Sequence, residues 1–194
     1  MAKTMSTQNV VNPSAASLAK AAEAARKTGL PPVHLWNPPL SGDMDMRIAR
    51  DGTWFHEGSP IQRPALVKLF SSILKKEGAE YCLVTPVEKW RITVEDAPFV
   101  ALDVSRSGEG AAQVLTFETH VGDVVHAGPD HPISVVIDQA AGTPAPYVMV
   151  RNGLQALIDR KTFYRLMDCA TEEDGWLGIY SGGAFFPIIR SDAL

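Results

Sequence analysis

The stretch that decides the fold is Arg50-Asp51-Gly52, followed by Arg63-Pro64-Ala65-Leu66-Val67-Lys68-Leu69-Phe70 and then Tyr81-Cys82-Leu83-Val84, because its pattern returns later in the chain. The second copy is Arg151-Asn152-Gly153, then Arg160-Lys161-Thr162-Phe163-Tyr164-Arg165-Leu166-Met167, then Trp176-Leu177-Gly178-Ile179-Tyr180. Each copy reads as strand, tight Asp-Gly or Asn-Gly turn, strand, amphipathic helix, strand. Internal repetition of this kind implies two related halves with a seam between them.

Around the first copy, Met44, Met46 and Ile48 alternate with Asp43, Asp45 and Arg47, the period of two of a half-buried strand. Thr53-Trp54-Phe55-His56 returns from the turn. The first helix places Leu66, Leu69 or Phe70, Ile73 and Leu74 on one face, with Pro64 in its first turn and Gly78 as its C-terminal stop. Trp90, Ile92 and Val94 then alternate with Lys89, Arg91, Thr93 and Glu95. Residues 99–104, 113–119, 124–126, 133–137 and 147–150 are β-branched and aromatic runs separated by Gly, Pro and Asp. In the second copy Asp159 caps a helix that buries Phe163, Leu166 and Met167, and residues 176–180 are the counterpart of residues 81–84. Many strands and few helices give an α+β protein with mainly antiparallel β-sheets, one helix per repeat and a duplicated strand-turn-strand-helix-strand core.

The 194 residues, 45% hydrophobic and 21% charged, suffice for one large domain or two small ones without staples. A net charge of -4 argues against a broad nucleic-acid surface. Cys82 and Cys169 form no CxxC pair and read as small core residues. No segment reads as a signal core or a membrane span, so the expected location is cytoplasmic, with no membrane partner. Residues 14–27 are an Ala-rich helical stretch, and residues 31–42 are an ordered Pro-rich loop in which Leu35 and Trp36 call for burial. The expected division is a leader at 1–30, a first repeat domain at 31–96 and a C-terminal domain at 97–194.

Several runs together are distinctive: Trp36-Asn37-Pro38-Pro39, Ser41-Gly42-Asp43-Met44-Asp45-Met46, Asp51-Gly52-Thr53-Trp54, Gly58-Ser59-Pro60-Ile61, Leu83-Val84-Thr85-Pro86-Val87-Glu88 and Val94-Glu95-Asp96-Ala97-Pro98-Phe99. With Val121-Gly122-Asp123, His131-Pro132 and Pro146-Tyr147-Val148 they resemble the bacterial domain-of-unknown-function family 1285, over about residues 31–190. The resemblance implies a duplicated core and a C-terminal half superficially like a pleckstrin-homology domain. It also implies a nucleotide-like ligand between the halves and a role in signal transduction, and it carries no catalytic activity with it.

Three constellations could carry chemistry. Asp43, Asp45, Glu88, Glu95 and Asp96 form an acidic set, and Asp43 and Asp45 share one strand face. Oxygen ligands so spaced suit Mg²⁺ or Ca²⁺, although alternation alone predicts a solvated face. His120, Asp123, His126 and His131 crowd into a short span with the residue types of a metal site, while Gly122-Asp123 also fits an ordinary hairpin turn. Arg63 and Arg160 stand near the two helix starts, with Arg50, Arg91 and Arg151 beside them; such arginines grip phosphate or keep a fold through ion pairs. His56 lies on the first hairpin. No P-loop, GxGxxG or G-x-S-x-G occurs, so a nucleotide would need a non-standard site.

The expected function is therefore a cytoplasmic protein binding a small anionic, nucleotide-like ligand between its halves, more a binder than an enzyme. Its candidate contacts are Asp43, Asp45, His56, Arg63, Glu88, Arg91, Glu95, Asp96, Asp123, Arg151 and Arg160. The alternatives are a small-molecule metalloenzyme built on residues 120–131, or a module that binds a protein partner. No cofactor is expected beyond that ligand, and the sequence leaves the oligomeric state open.

Overall fold

The computed structural model describes Lys20, Ala24, residues 29–138 and residues 142–193. Lys20 and Ala24 are helical; the rest of the Ala-rich stretch lies outside the described residues. The protein is α+β with mainly antiparallel sheets, and its contacts divide it into two units. One comprises Met1–Ile48 and Thr53–Val94, the other Ala49–Gly52 and Glu95–Leu194. No helix among the described residues is long and apolar enough to cross a membrane.

In the N-terminal unit β1 (Gly42–Ile48), β2 (Trp54–His56) and β3 (Ser59–Pro60) precede α1 (Pro64–Ser72), and β4 (Leu74–Glu77), β5 (Glu80–Val84) and β6 (Lys89–Val94) follow it. They form one six-stranded sheet in the order β3-β2-β1-β6-β5-β4. Every neighbouring pair is antiparallel except β1 and β6. The alternation of β1 is realised: Met44, Met46 and Ile48 are buried, while Asp43 and Asp45 are exposed. Trp54 stacks on Phe70 with ring centroids 6.2 Å apart, which fixes α1 against the sheet.

The first helix stops earlier than its apolar spacing predicts. Ser71 and Ser72 turn their hydroxyls back onto the carbonyls of Lys68 and Leu69, at 2.9 and 2.7 Å, a local bonding that weakens a helix interior. Ile73 and Leu74 are still buried, but Leu74 is already in a strand and pairs with Leu83. Gly78 is therefore no helix cap. Its φ of +61° opens the tight turn between β4 and β5, which closes on the pair Glu77 and Glu80. Leu35 also departs from expectation: it is 71% exposed, and Val33 and Pro38 are buried instead. Trp36 is half-buried, and its carbonyl accepts the Lys75 ammonium at 3.0 Å.

The C-terminal unit has a six-stranded sheet and a separate three-stranded one. The larger is built from β7 (Phe99–Ser107), β8 (Val114–Thr119), β9 (Val124–His126), β10 (Ile133–Asp138), β11 (Thr143–Arg151) and β12 (Leu154–Ile158), in the order β10-β11-β12-β7-β8-β9. Only β12 and β7 run parallel. After α2 (Arg160–Met167) come β13 (Thr171–Glu173), β14 (Trp176–Ser181) and β15 (Ala184–Arg190), an antiparallel meander. Phe99, Leu115, Phe117, Val148, Leu154, Ile158 and Leu166 make up much of the core.

Both units thus follow a hairpin with a helix and a three-stranded meander. The hairpin turn of the second copy needs two residues of positive φ, and Asn152 and Gly153 supply them at 45° and 78°. The copies differ in what the meander does. In the N-terminal unit its last strand returns to β1 and completes one sheet; in the C-terminal unit β7 takes the place beside the hairpin and the meander forms its own sheet.

Candidate functional site

The first turns of α2 and the ends of β11 and β12 enclose a pocket of about 370 Å³ in the C-terminal unit. Asp159 sets the geometry. Its backbone N–H donates to the Ala101 carbonyl at 3.1 Å, and its carboxylate accepts the Thr162 N–H at 2.7 Å, capping the helix as its sequence predicts. That cap turns Arg160, Phe163 and Tyr164 into the pocket wall, opposite Pro144 and Pro146. Arg160 is exposed and makes no ion pair among the described residues. Tyr164, on α2, is 61% exposed.

Arg50 lines the same pocket. Its Nε lies 3.2 Å from the Asp96 carboxylate, and its backbone N–H donates to Glu95 Oε2 at 3.0 Å. Asp96 also accepts the Tyr147 hydroxyl at 2.7 Å. Glu95 and Asp96, grouped by sequence with the acidic strand residues, thus hold an arginine in place.

A second constellation lies in the same unit. Arg151 donates to Asp123 at 2.5 Å, with side-chain exposures of 15% and 20%, and its guanidinium sits 4.7 Å above the Phe99 ring. His120 Nδ1 accepts the Val100 N–H at 3.1 Å, while the His120 N–H donates back to the Val100 carbonyl at 2.9 Å. The donor on Nδ1 assigns the neutral ring's proton to Nε2. Burial pushes this imidazole below its ordinary value of 6.5; Asp123 and Asp51 pull the other way. Nε2 faces Gly52, where a Cβ would come within 3.1 Å of it.

The remaining predicted residues belong to the N-terminal unit. Asp43 and Arg91 pair at 2.9 Å, and Arg91 also reaches Glu80 at 3.0 Å, so one guanidinium bridges two carboxylates across that sheet. Asp45 is exposed on the same strand, and its carbonyl accepts the Glu57 N–H. His56 is half-buried in β2, opposite Met46 and Ser59. Glu88 closes a turn in which its N–H donates to Thr85 Oγ1 at 3.0 Å. Arg63 precedes α1, is exposed and caps nothing with its side chain.

Among the described residues no three His, Cys, Asp or Glu side chains gather as a metal site. His120 is turned to Val100, Asp123 to Arg151, His126 Nδ1 to the Thr116 hydroxyl at 2.8 Å, and His131 Nδ1 to the Met149 carbonyl at 3.1 Å. Closeness in sequence is undone by strand alternation and the intervening turns, which give each side chain a different neighbour.

Sequence reasoning missed Phe163, Tyr164, Pro144 and Pro146 as pocket residues. Tyr164 left one signal: an aromatic on the polar face of an amphipathic helix, next to Arg165. The prolines left none, since Pro in a strand reads first as an edge or a bulge.

The family model for the N-terminal domain of the domain of unknown function DUF1285 matches residues 31–97, and the model for the C-terminal domain of DUF1285 matches residues 98–188. The chain belongs to the DUF1285 family. A DUF1285 family protein from Silicibacter pomeroyi DSS-3, of known crystal structure, is 61% identical; the match covers 91% of this chain and 96% of that one, with a TM-score of 0.85. A DUF1285 family protein from Shewanella baltica OS155 is 27% identical over 64% of this chain and 91% of that one, with a TM-score of 0.51. None of the curated proteins compared with this DUF1285 chain matches it.

Proposed function

We propose that this DUF1285 protein binds a small anionic, nucleotide-like molecule and acts in signal transduction as its sensor. The observation that carries the proposal is the pocket beside α2. A guanidinium without an ion-pair partner among the described residues, that of Arg160, shares its wall with the rings of Phe163 and Tyr164 and with two prolines. Arginine grips phosphate, and flat apolar surfaces suit a base. Arg50, held by Glu95 and Asp96, supplies a second cation without having to be ordered on binding. The sensing role and a cytoplasmic location are part of the same reading.

The test is a thermal-shift screen of the full chain against mononucleotides, dinucleotides and nucleotide second messengers, with and without Mg²⁺. A compound at 100 times its Kd stabilises by about 2.7 kcal/mol. For a chain of this size that is a rise in Tm of roughly 5–11 °C. Arg160→Ala, which removes an exposed side chain, is expected to abolish the rise and leave the unliganded Tm unchanged. A flat screen, or an unchanged rise in Arg160→Ala, refutes the proposal.

A further inference from the structure

The exposed face of α2 carries a stripe that is complementary to itself. Arg160, Tyr164 and Asp168 stand at i, i+4 and i+8, and all three are exposed. Asp168 lies just past the last residue of α2, but its backbone is still helical, at φ -63° and ψ -17°, and its N–H donates to the Tyr164 carbonyl at 3.3 Å. At 3.6 residues per turn the three side chains fall within about 80° of arc, and the outer two are about 12 Å apart along the axis. Tyr164 stands between them, 61% exposed. Arg165, beside the stripe, is already committed to the Asp103 carboxylate and to the Val104 carbonyl at 2.6 Å.

Both charges of the stripe are set against the helix. The start of a helix is the positive end of its dipole and favours an anion, while its end favours a cation. Here the cation Arg160 opens α2 and the anion Asp168 closes it, and neither makes an ion pair among the described residues. A second α2 laid antiparallel on the stripe compensates both. A two-fold axis through Tyr164 sets residue 160 of each copy opposite residue 168 of the other, because each lies four residues from the axis. We infer that the protein self-associates through this face of α2, as a symmetric dimer with antiparallel helices. Each Arg160 meets Asp168 of the second copy, the two Tyr164 rings meet at the axis, and the opposed helix dipoles attract. A parallel pair of helices would set like charges face to face, so the order of the signs selects the antiparallel one. One face of an eight-residue helix is small beside the roughly 800 Å² per partner of a stable complex, so the dimer is reversible and weakened by salt. Arg160 and Tyr164 also line the larger pocket, so an anion held by Arg160 competes with the second copy. The inference itself does not depend on the nucleotide-like reading, and its test contains no ligand.

Sedimentation velocity of the full chain, in a low-salt buffer free of phosphate and nucleotides, decides it by charge reversal. The unaltered protein is expected to dimerise as its concentration rises. Arg160→Glu sets Glu against Asp168 of the second copy, and Asp168→Arg sets Arg against Arg160, so each variant alone should dimerise about tenfold more weakly or worse. An equimolar mixture of the two variants should recover the dimer, because every facing pair is again of opposite sign. The double variant Arg160→Glu/Asp168→Arg should recover it as well. Both substitutions lie at exposed positions and suit the helix dipole better than the natural residues, so the variants should keep the Tm of the unaltered protein or exceed it. A protein that stays monomeric at millimolar concentration overturns the inference. So does a dimer that either single reversal leaves unchanged, and so does a mixture that associates no better than its two components. The first of these readings uses the unaltered protein and stands even if a variant folds poorly.

Discussion

Whether Arg151 keeps the fold or waits for a ligand can be decided by a double-mutant cycle with Asp123. The pair is short, 2.5 Å, and both side chains are largely withdrawn from water, at 15% and 20% exposure. At an effective dielectric near 20, unit charges about 4 Å apart attract by about 4 kcal/mol. Desolvation returns part of this, and the residual exposure screens more, so the net coupling should be about 1–3 kcal/mol. Arg151→Ala should cost more than the coupling alone, because it also uncovers the face of Phe99, which is fully buried. Asp123→Ala should remove the carboxylate that faces Arg151 and cost about 2 kcal/mol, a fall in Tm of roughly 4–8 °C. The double variant should be less destabilised than the sum of the singles by the coupling energy. Urea unfolding of the four proteins measures it. A coupling below about 0.5 kcal/mol would refute the structural role and return Arg151 to the set of residues available for an anion.

Other consequences follow from single contacts. His120 has a folded pKa below its ordinary 6.5, so its contribution to stability is complete above that pH. It is lost as pH falls from the unfolded value through the lower folded one, because the unfolded chain takes up the proton first. His120→Asn can keep an acceptor for the Val100 N–H and lacks the titration, so its stability should fall less below pH 6.5; parallel acid dependence in both proteins, followed by urea unfolding, would count against this. Asp159→Ala removes the cap on α2 and should cost about 1 kcal/mol, with faster amide exchange at Thr162. At Gly178 an added Cβ would lie 2.4 Å from a Phe185 ring carbon and 2.6 Å from the Phe186 carbonyl oxygen. Gly178→Ala should therefore cost about 1–3 kcal/mol, and Phe185→Ala should not restore it, since the carbonyl cannot move aside; a neutral effect in urea unfolding would refute this.

What could be read from sequence was what short-range physics controls. The alternation of Met44, Met46 and Ile48 with aspartates, the Asn152-Gly153 turn and the Asp159 cap are each decided within a few residues, and each is legible in the sequence. The succession of strand, turn, strand, helix and strand is legible for the same reason, because it appears twice in pattern, whereas the further strands β4 and β13 that make each meander are not. The end of α1 was not. Ile73 and Leu74 fit a helix face by spacing, and only pairing with β5 makes Leu74 the start of a strand and leaves Ile73 as the end of the helix.

The sites divide in the same way. Arg160 was found because its position follows from the cap beside it. Arg50, Pro144, Pro146 and Tyr164 meet it only through long-range strand order, which brings β11 and β12 to the start of α2. The three histidines of residues 120–131 look like a metal site in sequence because they are close along the chain. In the fold, alternation and turns hand each to a different partner. Local pattern determined which residues of a strand such as β1 face a core, but not the burial of loop and helix residues such as Leu35 and Phe163; which of the outward-facing ones share a pocket depended on strand pairing between segments far apart in sequence, and that information is spread over the whole chain.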